Sequence, residues 1–252
     1  MSSQTLVIDI GGTSVKFSIS GEDERKFVSG RWLTPEAMVR RVLHATDDWS
    51  YDRISIGYPG QVRLGKVAHE PWNLADGWMD YDFAANFHTP VRLINDACLQ
   101  ALGNYEGGRM LFMGLGTSLG AALIVDNVVV GLEMGCLAHP SGGTLEERVS
   151  SKALRAAGRS DWRGAVLESL SALKNAFVAD YIKIGGGNAR LIRKLPEGCR
   201  HGEAQASHIG GCRLWNTRTM QSTYLYSPKA DVSATNGSGS PPRAVLVRQR
   251  RV

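Results

Sequence analysis

Three short glycine turns and two aspartates carry the residue types that can do chemistry in this chain. In LVIDIGGTSVKFSIS, Leu6 to Ser20, a carboxylate near the end of an apolar run is followed by Gly11, Gly12 and Thr13, then by a second run. GLGTSLGAALI repeats the pattern around Gly116 and Thr117, and IGGGNAR places Gly185, Gly186, Gly187 and Asn188 after another apolar run. Successive backbone N–H groups in such turns form anion-binding concavities, and the missing side chains let a phosphate approach. The Thr13 and Thr117 hydroxyls add donors for phosphate oxygens. Asp9 is costly to bury without a partner. Beside phosphate-cradling turns that partner is Mg²⁺, held directly or through water; the plainer alternative is Asp9 capping its own turn. Lys16 either screens phosphate charge or is a solvated strand residue. In LINDACLQ, Asp96 falls where a strand becomes a helix. There the helix dipole favours the ionised form, a weak base with a pKa near the reference value of about 3.9, able to accept a proton from a hydroxyl. An ordinary N-cap is the alternative.

Two other glycine motifs fail. No GxxxxGK[ST] is present, which excludes a P-loop. GLGTSLG leads into a strand, whereas a dinucleotide fold needs strand then helix.

The elements that must hold these residues follow from periodicity and punctuation. Leu6–Ile10 and Val15–Ser20 are expected strands around the first turn. Thr34-Pro35 is an N-cap with proline at the first helical position, predicting a helix to about Asp48 that buries Met38, Val39, Val42 and Leu43. RISIGYPG is a strand ending in a glycine-proline loop, and PVRLINDACLQALGNY a strand turning into a helix. Three strands are expected between Met110 and Glu133, with turns at Gly116-Thr117 and Asp126-Asn127. Thr144 and Glu147 match a capping box, Ser160 caps a further helix to about Val178, and a strand, glycine turn and helix follow from Asp180. EAQASHIGGCRLW is a last amphipathic helix. The two hairpins with Thr-Ser tips, about 105 residues apart, suggest a duplicated unit. Such halves imply two α/β lobes with a cleft between them.

The 252 residues have 43% hydrophobic content and a net charge of +5. The segment 218–252 holds six basic side chains and one acid, so the rest is neutral. That weak footprint argues against a nucleic-acid role, and no apolar run reaches the ~18 residues that span a bilayer. Cys98, Cys136, Cys199 and Cys212 form no CxxC pair, which suits a reduced, cytoplasmic setting. The Ser, Gly and Pro-rich stretch after Trp215 is expected to be a disordered basic tail.

DIGGTSVK, GYPGQV, INDA, GLGTSLG and IGGGN stand in the order and context in which they occur in the ROK sugar kinases of the actin-like ATPase superfamily. The resemblance covers about residues 5–215 and is nearest to the polyphosphate glucokinase-like branch. It implies an α/β, two-lobed actin-like ATPase (ribonuclease H-like) fold with a central cleft. Residues 1–95 would form the N-terminal lobe, 96–202 the C-terminal lobe, and helix 203–217 would pack back on the first. It also implies transfer of a phosphoryl group from ATP to a hexose, glucose above all, with Mg²⁺. Asp96 would be the base acting on the primary hydroxyl, Gly185–Asn188 the adenosine segment, and Pro59, Gly60, Asn73, Asn95 and Glu133 the sugar side. Trp72 and Trp78 either wall the sugar or pack in the core. Two departures stand out. The cysteine-rich zinc motif of many members is absent, and so is any comparable cluster, so no zinc site is expected. Cys136 replaces the histidine that contacts the sugar; a thiol is a poor partner for a hydroxyl, and His139 either turns inward to substitute or is an ordinary loop histidine. Polyphosphate as donor, a non-catalytic sugar sensor and homodimerisation stay open.

Overall fold

The first apolar run, β1 (Thr5–Ile10), is the middle of a five-stranded sheet. The structure, a computed structural model, describes residues 3–216 together with 220 and 221. On one side of β1, β2 (Ser14–Ser18) and β3 (Arg25–Val28) complete an antiparallel meander. On the other side, β4 (Arg53–Tyr58) and β7 (Val91–Asn95) run parallel to it. Between β4 and β7 lie the small hairpin β5 (Val62–Arg63) and β6 (Lys66–Val67) and the short helix α2 (Phe83–Phe87).

The second sheet repeats this plan. Its β8 (Arg109–Leu115), β9 (Leu119–Val125) and β10 (Val128–Leu132) form the meander, and β11 (Tyr181–Gly185) and β12 (Cys199–His201) continue in parallel beyond β8. The orders β3-β2-β1-β4-β7 and β10-β9-β8-β11-β12 are equivalent, so the similar hairpin sequences mark the same place in two related sheets.

Helices cover the sheets according to their apolar stripes. Helix α1 (Pro35–Ala45) starts at Thr34, whose hydroxyl accepts from the Ala37 N–H at 3.2 Å, and buries Met38, Val39 and Val42. Leu43, expected inside, lies at the rim of that stripe and is 37% exposed. The predicted capping box of α4 (Leu145–Val149) is complete: Thr144 Oγ1 accepts from the Glu147 N–H and Glu147 Oε2 from the Thr144 N–H. The element α5 (Ser151–Ala176) is two helical segments joined at a kink: the first, capped by Ser150, was not expected, and the second begins within two residues of Ser160, as expected, and runs to Ala176. Gly158, at φ 79° and ψ 168°, interrupts it two residues before the expected start; only glycine adopts that backbone readily. After Gly185–Gly187 the expected helix is reduced to one 3-10 turn, Ala189–Leu191, because Ile192 leaves it in extended conformation to enter the core.

Helices α3 (Asp96–Asn104) and α6 (Ala206–Arg213) form the layer between the two sheets. They touch backbone to backbone. A Cβ on Gly103 would sit 1.9 Å from the Ala206 carbonyl oxygen, and one on Gly210 1.9 Å from that of Leu99. Gly211 fits against the Val7 side chain of β1, where a Cβ would lie 2.4 Å from Cγ2. The glycines that weaken α6 by propensity are what let it lie against both α3 and β1. Its amphipathic character is correspondingly slight.

Of the segment expected to be a disordered tail, Met220 and Gln221 form β13, pairing in parallel with Val128 and Val129. The rest of 218–252 lies outside the described residues. Among the described residues no helix is long and apolar enough to cross a membrane.

Candidate functional site

The parallel register brings three chain segments side by side at the carboxyl ends of β1, β4 and β7. Asp9 is level with Gly57, Gly57 with Ile94, and Tyr58 with Asn95. Neighbouring strands lie about 4.8 Å apart, and this end of an open α/β sheet is where ligands collect. Helix α3 starts directly over β4 because Gly57 has no side chain: a Cβ there would lie 2.7 Å from Leu99 Cδ2 and 3.3 Å from Asp96 Cα. Asn95, not Asp96, is the N-cap. Its Oδ1 accepts from the Cys98 N–H at 3.1 Å, and its Nδ2 donates to the Gly60 carbonyl at 3.0 Å, fixing the half-buried Pro59-Gly60 loop beside it.

Asp96 therefore occupies the first helical position, where its Oδ1 accepts from the Ala97 N–H at 2.8 Å. Its carboxyl is pushed up to about 7. Loss of water around it is the main cause, repulsion by Asp9 adds to it, and Glu133 contributes further. The backbone donors at the helix start pull the other way and lose. The ordinary, fully ionised acid expected from the helix dipole is corrected here: burial beside a second carboxylate outweighs the helix terminus.

Asp9 faces the α3/α6 layer. Ser207 Oγ donates to its Oδ2 at 2.6 Å, and Lys16 stands opposite it in the β1–β2 register. The Lys16 ammonium lies 3.7 Å from Glu24, so it is a half-exposed strand residue with a carboxylate of its own. Burial raises the pKa of Asp9, with Ser207 and Lys16 opposing. Among the described residues Asp9 makes no ion pair. A carboxylate short of water, with a neutral hydroxyl as donor, fits a bound cation. The adjoining tip is well braced: the Gly11 N–H donates to the Ser14 carbonyl at 2.9 Å and Ser29 Oγ to the Gly11 carbonyl at 2.6 Å. Thr13 is exposed at its end. Gly12 packs against Asn73, whose side chain would lie 3.3 Å from a Cβ there. A cavity of about 370 Å³ opens on the α6 side of this hairpin, lined by Asp9, Lys16, Ser18, Ser20, Gln205 and His208 among others. It reaches Asp9 and the Ser20–Glu24 turn, and neither Gly11–Thr13 nor Asp96 lines it.

The second tip is held by Ser151, which spacing alone did not single out, together with Gly186 and Asn188 of the third glycine turn. Ser151, at the start of α5, donates to the Gly116 carbonyl from both its N–H (3.0 Å) and its Oγ (2.6 Å). The Asn188 N–H donates to the Leu115 carbonyl at 3.1 Å and its Nδ2 to Ser151 Oγ at 2.8 Å. Gly186, at φ 80°, passes so close that a Cβ would lie 2.6 Å from the Leu115 oxygen. Gly116, Thr117 and Gly185–Asn188 are thus one assembly, with Thr117 exposed. Glu146 braces the far side, its Oε2 accepting from the Leu119 N–H at 2.8 Å. Hairpin β9–β10 lies over the first turn of α3: a Cβ on Gly120 would be 3.0 Å from Ala97 Cβ, and one on Gly131 3.2 Å from Cys98 Sγ. Glu133, which follows β10, is exposed, and its charge reaches Asp96.

His139 is corrected. It is 3% exposed, its Nδ1 accepts from the Ser141 N–H at 3.0 Å, and its Nε2 lies 3.1 Å from the Ala165 carbonyl of α5. Accepting at Nδ1 leaves the proton on Nε2, which donates to that carbonyl. Both nitrogens serve packing, so His139 does not turn inward for a sugar. Cys136 is exposed and its Sγ lies 3.2 Å from the Glu133 carbonyl. Trp78 is fully buried against Tyr58 and Phe83, whereas Trp72 is 90% exposed. Among the described residues no cluster of three or more His, Cys, Asp or Glu can hold a metal ion. The residues missed, Ser29, Ser151 and Ser207, are single hydroxyls without pattern; the small residue at the helix start was a signal only for Ser151.

No family model matches the sequence, and no curated protein matches it significantly. Solved structures do match in fold. The inorganic polyphosphate/ATP-glucomannokinase from Arthrobacter sp. strain KM superposes with a TM-score of 0.71 at 23% identity, over 83% of this chain and 96% of that one. A ROK family glucokinase from Streptomyces griseus, solved with glucose and AMPPNP, gives 0.65 at 18% identity over 84% and 99%. A ROK family transcriptional regulator, a homolog of the E. coli MLC protein, gives 0.63 at 17% identity, over 85% of this chain and 78% of that one. The chain has the two-lobed actin-like ATPase fold in the form found in the ROK sugar kinases.

Proposed function

We propose that the protein is a sugar kinase of the ROK type, transferring the γ-phosphoryl group of ATP to the primary hydroxyl of a hexose, with glucose as first candidate. One observation carries the reading. A half-buried carboxyl pushed up to about 7, Asp96, stands at the carboxyl ends of β1, β4 and β7, within electrostatic reach of Asp9 beside the first glycine tip. A base poised near neutral pH accepts a hydroxyl proton more effectively than an ordinary aspartate. Phosphoryl transfer passes through a loose transition state in which positioning and charge stabilisation dominate. The tips at Gly11–Thr13 and Gly116–Thr117 supply N–H and hydroxyl donors to the donor phosphates. Gly185–Asn188, already joined to the second tip through Ser151, lies along the nucleoside. Asn95 and Glu133 flank Asp96 on the acceptor side with Pro59 and Gly60, and Asn73, which packs against Gly12, completes that side. Asp9 is the residue that would hold Mg²⁺, which when bound neutralises charge on the transferring phosphates. As the lobes approach, water is excluded as a competing acceptor.

The Arthrobacter neighbour uses polyphosphate as well as ATP, by its name. A long polyanion needs a basic track. Outside 218–252 the chain is neutral overall, which favours ATP. A coupled assay over a panel of hexoses, with ATP and with polyphosphate, tests the reading. Turnover of a hexose with ATP supports it. Sugar binding without turnover on either donor supports a sensor, the role that the regulator among the neighbours brings to mind.

A further inference from the structure

Ser207, in the first turn of α6, donates its hydroxyl to Asp9 Oδ2 at 2.6 Å across 198 residues of sequence. Serines inside helices commonly turn back to the carbonyl four residues earlier. Ser169 and Ser171 of α5 do so, bonding the Ala165 and Leu167 carbonyls. Ser207 instead reaches out of its helix to β1. Its neighbour His208 reaches to β2, with Nδ1 2.9 Å from Ser18 Oγ and Nε2 3.2 Å from Ser20 Oγ. The start of α6 is thus fastened to both strands of the first hairpin. Farther along, Gly210 and Gly211 seat the helix on α3 and β1 with no room for a methyl group. The hydroxyl is therefore carried on an element that cannot slide, and α3, in contact with it, carries Asp96.

We propose that Ser207 is a positioning residue: it fixes the Asp9 carboxylate through Oδ2 so that Oδ1 is presented to the divalent cation accompanying the phosphoryl donor. The inference rests on the phosphotransfer reading above. It makes α6 the common support of the metal-side acid and, through its glycine contact with α3, of the acceptor-side acid.

The test is a calorimetric titration with ADP, with and without Mg²⁺, on the full chain and on Ser207→Ala, Ser207→Thr, Asp9→Asn and the Asp9→Asn/Ser207→Ala double variant. The wild-type protein gains affinity for ADP when Mg²⁺ is present; absence of that gain overturns the phosphotransfer reading itself. Given the gain, Ser207→Ala loses about tenfold of it while metal-free ADP affinity is unchanged, and Ser207→Thr, which keeps a hydroxyl, retains most of it. In the Asp9→Asn background the Ala substitution adds nothing, because its effect runs through that carboxylate. Ser207→Cys, close in size and a weaker donor, shows an intermediate loss and serves if the Ala variant fails to fold. An undiminished gain in Ser207→Ala, an equal weakening with and without Mg²⁺, or an additive loss in the double variant overturns the positioning role and leaves the phosphotransfer reading standing.

Discussion

Replacing Asp96 by asparagine separates the burial argument from any assumption about substrate, because it leaves a signature in stability alone. The folded protein holds this carboxyl near 7, and an unfolded chain holds it near 3.9. Below about pH 4 both states are protonated and the group contributes no pH dependence. From there to about 7 the unfolded chain has released the proton and the folded protein has not, so stability falls as pH rises, by about 1.4 kcal/mol per unit at most. Above 7 the loss levels off. The full interval of three units corresponds to at most about 4 kcal/mol, and relaxation around the charge brings the expected figure to roughly 2–3 kcal/mol. The asparagine side chain cannot ionise and can still accept from the Ala97 N–H. It also relieves the repulsion on Asp9, which acts in the same direction. Urea unfolding of both proteins at pH 5 and pH 8 reads the difference. The asparagine variant is expected to be more stable by about 1 kcal/mol at pH 5 and by about 2–3 kcal/mol at pH 8. A difference that does not grow with pH, or an asparagine variant less stable at pH 8, would refute the claim that burial and Asp9 hold the proton on Asp96.

Three further outcomes are expected. For a base with a pKa near 7, kcat/KM for the sugar rises with pH through an apparent pKa close to that value; a profile flat from pH 5 to 8 contradicts the assignment. Gly210→Ala, which helix propensity alone would favour by about 1 kcal/mol, is expected to destabilise the protein by about 3 kcal/mol in urea titration, since its methyl group meets the Leu99 carbonyl. His139→Ala lowers stability by about 2 kcal/mol through lost packing and lost bonds to Ser141 and Ala165, but leaves KM for the sugar unchanged; a rise in KM would place this histidine back at the sugar.

Residues whose chemistry is local were legible in the sequence. Thr34-Pro35 and the Thr144–Glu147 box state their helix starts in side-chain hydrogen bonds a few residues long. The two Thr-Ser hairpins mark equivalent places in sheets of the same strand order. What depends on distant parts of the chain was not. Nothing near Asp96 in the sequence reveals that Asp9 lies close enough to oppose its ionisation; the helix start alone pointed the other way. His139 reads equally as a sugar contact or an ordinary loop histidine until α5 closes over it with Ala165. Gly103 and Gly210 look like defects in two helices, and only their juxtaposition explains them. Ser207 is one serine among many until α6 returns to β1.

The central claim is that Asp96 takes the proton from a sugar hydroxyl while the glycine tips hold the donor. The most direct measurement compares wild type with Asp96→Asn for hexose binding, by calorimetry, and for hexose phosphorylation with ATP and Mg²⁺. The account predicts sugar affinity within a few-fold of wild type and turnover reduced by roughly 10²–10⁴-fold, the range expected for loss of a general base. Equal turnover in the two proteins would contradict it.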